Sequence, residues 1–111
     1  MEGKLIRDKI PQIIKEAGGT GQRYHVADRD EYRHRLFEKM REELDEFVED
    51  PCLEEAADMY EVFVTILKEY NLDLAEVMFK SYDKKEERGG FRERIVLENI
   101  PNERQKKGRD V

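Results

Sequence analysis

A chain of 111 residues, 43% of them charged and with a net charge of −6, has room for one domain (1–111) and a modest core, so burial against a second copy would help it. Its acidity, with a pI near 5.1, argues against a nucleic-acid partner, because proteins that grip the phosphate backbone carry a basic face. One cysteine, Cys52, excludes an intramolecular disulfide framework. No apolar run reaches signal-peptide or membrane length, so no membrane partner and a cytoplasmic location are expected.

The clustered aliphatics suit amphipathic helices, and the expected fold class is all-α. Lys4-Leu5-Ile6 reads as extended. Residues 8–17 then read as a short helix with Ile10, Ile13 and Ile14 inward, stopped by Gly18-Gly19. Tyr24-His25-Val26 is a second extended candidate within a loop. Asp28 is placed to cap a long helix, with Glu31 at capping-box spacing, and that helix runs to about Glu49. Asp50-Pro51 is expected to stop it and start the next, Asp50 as cap and Pro51 in the first turn. The third helix reaches about Tyr70. A fourth begins at Asp73, again with Glu three residues on, and ends before Gly89-Gly90. Phe91–Leu97 reads as a short strand or extended arm, and residues 98–111 as a loose tail. The architecture is an antiparallel helical hairpin with flanking helices.

On a helical wheel at about 100° per residue, Leu36, Phe37, Met40, Leu44, Phe47 and Val48 form one apolar stripe. Glu43 falls inside it and Glu46 on its border, while Glu42 and Asp45 point to solvent. On the third helix the apolar arc is wider than one partner needs, which points to a self-associating face. Glu55 lies within that arc and Asp58 at its edge. A tight turn makes the two helices antiparallel neighbours, so Glu43 and Glu46 face Glu55 and Asp58. One Glu-x-x-Glu pair arises easily in a Glu-rich helix; two pairs on facing helices, both at the border of an apolar stripe, are less easily put down to composition. Carboxylates about 5 Å apart repel by roughly 3 kcal/mol at an effective dielectric near 20. A hard divalent cation, Mg²⁺ or Mn²⁺, would relieve that repulsion.

Lys39 is the one cation on these faces, a turn before Glu43. On the fourth helix, Lys85 and Arg88 continue the face of Leu74, Met78 and Tyr82, with Lys84 beside them, in a pattern suited to a polyphosphate. The competing explanation is a basic C-terminus that complements the helix dipole. Lys4, Arg7, Asp8 and Lys9 form a polar cluster before the first helix, with Arg7 as a candidate substrate contact. His25 and His34 read as surface residues and Cys52 as core.

Lys39-Met40-Arg41-Glu42-Glu43-Leu44-Asp45-Glu46 resembles the Lys-Leu-x-Glu-Glu-x-x-Glu signature of MazG-like, all-α nucleoside triphosphate pyrophosphohydrolases, and Glu54-Glu55-Ala56-Ala57-Asp58 resembles their following Glu-x-x-Asp element. Lys84 and Arg88 resemble the downstream Lys-x-x-x-Arg, with Ser81 where many members carry Asn. The opening Lys4–Pro11 and Arg88-Gly89-Gly90-Phe91 are similar to a short, phosphoribosyl-ATP pyrophosphohydrolase-like subgroup. The resemblance implies a helical bundle completed by oligomerisation, most simply a homodimer, and a nucleotide substrate cut to a nucleoside monophosphate and pyrophosphate. It further implies Glu43, Glu46, Glu55 and Asp58 as magnesium ligands, with Glu43 or Glu46 orienting the attacking water. Lys39, Lys84, Lys85, Arg88 and Arg7 are then the substrate-binding candidates. Two alternatives stand beside this reading: phosphoribosyl-ATP pyrophosphohydrolase proper, and a non-catalytic helical oligomerisation module.

Overall fold

A computed structural model describes residues 2–99. Among these, four helices and no strand occur: α1 (Ile10–Glu16), α2 (Arg29–Glu49), α3 (Leu53–Glu69) and α4 (Leu74–Arg88). The fold class is all-α. The expected loose tail falls, from residue 100 on, outside the described residues. The chain divides after Leu72 into two compact units.

The first unit is built on the α2/α3 hairpin. Asp28 caps α2 as its spacing predicts: its backbone is extended and Oδ1 accepts a hydrogen bond from Glu31 N at 2.9 Å. The turn into α3 differs from expectation. Asp50 ends α2, its N–H donating to Glu46 O at 3.1 Å, and it leaves helical geometry at φ −144°, ψ 80°, because a residue before proline is crowded out of the α region. The new helix starts two residues later than predicted, at Leu53, with Cys52 at the N-cap position and no side-chain cap. Cys52, expected in the core, is half-buried there. Glu54 and Glu55 in the first turn complement the helix dipole.

At the far end of the hairpin, Arg33 near the start of α2 donates from Nε to Glu69 Oε2 at 2.7 Å, and its guanidinium lies 4.5 Å from the centre of the Tyr70 ring. This pairing of the start of α2 with the end of α3 fixes the hairpin as antiparallel. α3 closes in a Schellman arrangement, with Leu72 N–H on Leu67 O (2.8 Å) and Asn71 N–H on Lys68 O (3.1 Å). Asn71 takes the left-handed conformation (φ 55°) that this closure needs.

Leu36, Val62 and Leu67 are the buried hydrophobic residues among those described, and Arg35 and Glu43 are buried with them. Phe37, Leu44 and Val48 on α2, and Leu53, Tyr60 and Phe63 on α3, stay exposed, Leu53 at 85%. The apolar stripe of α2 is thus fully covered at Leu36 and partly at Met40 and Phe47. α1 is shorter than predicted, because Asp8 and Lys9 form a turn before it, and Ile13 faces out rather than in. Tyr24–Val26 forms no strand.

Residues 2–9 form an arm across α2. The buried Arg35 holds it, donating from Nη1 to Gly3 O at 2.8 Å and from Nη2 to Glu2 O at 2.9 Å. Gly3 has φ 84°, a conformation glycine adopts without strain.

In the second unit, Asp73 caps α4 by accepting from Glu76 N at 3.1 Å, and Gly89 ends it at φ 86°, both as the spacing predicts. Phe91–Leu97 is not a strand. It turns at Arg92-Glu93, with Arg94 at φ 59° and its N–H on Phe91 O at 3.3 Å. A short β-leaning run without a partner strand has nothing to pair its backbone with.

Candidate metal centre

The site begins with Glu43. Helix periodicity turns it toward α3, and it is 5% exposed. Its Oε1 forms an ion pair with Lys39 Nζ at 3.3 Å, the i,i+4 neighbour one turn earlier. Its Oε2 is buried with no hydrogen-bond partner, and so is Oε2 of Glu55, across on α3. Buried carboxylate oxygens are almost always hydrogen-bonded, since leaving one bare costs roughly 1–3 kcal/mol or more.

Glu43, Glu55 and Asp58 each offer an oxygen within 4.8 Å of the other two. Glu42, Glu43 and Glu46 form a second group at the same separation, sharing Glu43 with the first. The hairpin thus assembles three of the four predicted ligands directly and joins Glu46 to them through Glu43. Burial pushes the Glu43 carboxyl above its usual value; Lys39 works against this, and Glu46 adds to it.

Glu42 departs from expectation. The helix wheel sends it to solvent, yet it is half-buried, with Lys4 Nζ at 3.3 Å and Lys39 Nζ at 3.6 Å from its Oε1. The reason is the arm, which lays Lys4 over that side of α2. The arm also brings Arg7 to the site: Nη2 donates to Asp58 Oδ1 at 2.7 Å, across 51 residues of sequence. The acids therefore meet three cations, Lys4, Arg7 and Lys39, of which only Lys39 is legible as a neighbour from helix periodicity. No local signal in the sequence encodes the other two pairings.

Beside the carboxylates lies a cavity of about 520 Å³, lined by Arg7, Lys9, Tyr32, Lys39, Glu43 and Asp58 among others, a size within the range of small-molecule sites. Its lining mixes acids and cations, with Lys39 against Glu43 and Arg7 against Asp58. Lys84, Lys85 and Arg88 lie on α4, in the second unit: Lys84 is half-buried, Lys85 is exposed and Arg88 is the last residue of the helix.

His25 and His34 are exposed, as expected. His25 Nε2 lies 2.9 Å from Glu31 Oε2, and Arg35 Nε is 3.2 Å from the same oxygen. The histidine hydrogen bond, helped by the Arg35 contact, holds the Glu31 carboxyl below its usual value against the opposing effect of burial.

The donor set suits a hard divalent cation. It is all carboxylate oxygen, two of its buried oxygens have no partner, and its charge exceeds that of the cations in contact with it. No helix among the described residues is long and apolar enough to cross a membrane. No family model, curated protein or solved structure matches this chain.

Proposed function

We propose that this protein is a magnesium-dependent nucleotide pyrophosphohydrolase of the MazG-like kind, cutting a nucleoside triphosphate to a monophosphate and pyrophosphate. One observation carries the reading most: two buried carboxylate oxygens without partners, Glu43 Oε2 and Glu55 Oε2, in a hairpin site that also holds Asp58. Such an arrangement is unfavourable until a cation completes it.

Glu43, Glu55 and Asp58 hold the ion, for which Mn²⁺ is a substitute for Mg²⁺. When bound, that ion neutralises phosphate oxygens and makes water a better nucleophile. Glu46, one turn beyond Glu43 and half-buried, orients the water and accepts its proton. Lys39 keeps Glu43 aligned through its 3.3 Å contact and presents positive charge to the cavity. Arg7 lines the same cavity and offsets phosphate charge from the arm. On α4, Lys84, Lys85 and Arg88 are assigned to phosphate contact from the motif alone. The uncovered apolar residues of α3, Leu53, Tyr60 and Phe63, favour a homodimer.

The experiment that tests the reading presents purified protein and Mg²⁺ with nucleoside triphosphates, deoxynucleoside triphosphates and phosphoribosyl-ATP, resolving products by phosphorus NMR. Release of pyrophosphate from a triphosphate supports it. Turnover of phosphoribosyl-ATP alone reassigns the substrate, and no turnover of any of them leaves a binding or oligomerisation module.

A further inference from the structure

The Arg7–Asp58 contact, at 2.7 Å, sits on a carboxylate that the proposed metal needs. Asp58 Oδ1 accepts the guanidinium, so one ligand of the Glu43/Glu55/Asp58 group is satisfied by an internal cation. Both side chains are partly open to water, 57% and 40% exposed, and exposed pairs of this kind are weak. A doubly charged ion facing three carboxylates outcompetes a single guanidinium bound to one of them.

The arm carrying Arg7 is not free to leave. Four and five residues before it, Gly3 O and Glu2 O are gripped by two nitrogens of Arg35, a residue 6% exposed. Arg35 is itself held by Glu31 at 3.2 Å. A guanidinium released from Asp58 therefore stays at the cavity it already lines, together with Lys9 and Lys39.

Resting on the metal-site reading above, we infer that Arg7 is a two-position residue. It occupies Asp58 in the metal-free protein, is displaced when a divalent cation binds, and then contacts the phosphate group of the ligand in the adjoining cavity. The arm, pinned through Arg35, is the tether that makes the exchange local. Loading of metal is thereby coupled to readiness for a phosphate ligand: the displaced guanidinium becomes available only once the ion is in place. Arg35 acts as a positioning residue for the arm.

The signature is a pair of effects with opposite signs. In Arg7→Gln, Mg²⁺ alone, followed by isothermal titration calorimetry on the full chain, should bind about two- to fivefold more tightly, because the internal competitor is gone. Inorganic pyrophosphate, titrated at saturating Mg²⁺, should bind more weakly in the same variant. Arg7→Lys, which keeps the charge but loses the forked geometry, should fall between wild type and Arg7→Gln in both titrations. Unchanged or weaker Mg²⁺ binding in Arg7→Gln would overturn the competition, and unchanged pyrophosphate binding would overturn the second position. If wild type and both variants bind no Mg²⁺, the metal site itself fails and this inference with it; if wild type binds and Arg7→Gln binds no tighter, the metal site stands and only this inference fails.

Discussion

Replacing Glu43 with glutamine removes one negative charge from the centre of the site and leaves its shape. Each neighbouring carboxylate oxygen within 4.8 Å of it repels it by about 3.5 kcal/mol at an effective dielectric near 20. Lys39 at 3.3 Å attracts it by about 5 kcal/mol on the same scale. Repulsion from Glu55, Asp58 and Glu46 therefore exceeds the Lys39 attraction, and burial adds to the deficit. Lys39 does not lose its last partner, since Glu42 remains at 3.6 Å. After allowance for solvent screening of the half-buried partners, Glu43→Gln should stabilise the metal-free protein by about 1–2 kcal/mol. It should also remove most of the stabilisation by Mg²⁺. At an ion concentration about a hundredfold above the dissociation constant, wild type gains about 2.7 kcal/mol, on the order of 10 °C in Tm for a chain of this size. Thermal melts of both proteins with and without Mg²⁺ measure both effects. A variant less stable than wild type without metal, or one that keeps the full Mg²⁺ shift, would refute the reasoning.

The pH dependence should carry the same mark. Because the Glu43 carboxyl is raised in the folded protein, the folded state binds more protons than the unfolded one between the ordinary carboxylate value and the raised one, so its contribution to metal-free stability is complete below that window and lost as pH rises through it. Metal binding needs the carboxylate, so Mg²⁺ affinity should rise with pH over the same window; denaturant melts across pH, with and without Mg²⁺, should diverge there for wild type but not for Glu43→Gln. The exposed apolar residues of α3 predict self-association: sedimentation at micromolar concentration should give a dimer that Phe63→Glu weakens, whereas a wild-type monomer would contradict the homodimer.

The sequence reveals the acids because their logic is local. Two residues three apart on a helix share a side, and a tight link at Pro51 fixes which sides meet, so Glu43, Glu55 and Asp58 are legible from periodicity and one turn. Asp28 and Asp73 are legible for the same reason, each acting on a backbone N–H three residues away. The arm is not. Arg7 reaches Asp58, and Lys4 reaches Glu42, through the course of an irregular segment whose position depends on Arg35 and two backbone carbonyls. A helix wheel contains no term for such a segment, so it sends Glu42 to solvent. At Asp50-Pro51 the capping signal goes unused: Asp50 stays with α2 through its N–H on Glu46 O, and α3 starts at Leu53. Ile95-Val96-Leu97 carries strand propensity without a strand beside it, and propensity alone makes no sheet.

The central claim is that the hairpin carboxylates hold an ion used to release pyrophosphate from a nucleotide. The direct measurement is pyrophosphate production from a nucleoside triphosphate by wild type, Glu43→Gln and Asp58→Asn, each with Mg²⁺ and with chelator. Wild type should release pyrophosphate in a Mg²⁺-dependent way, and release should be abolished by chelator and in both variants. Full activity in either variant, or release that persists in chelator, would contradict the claim.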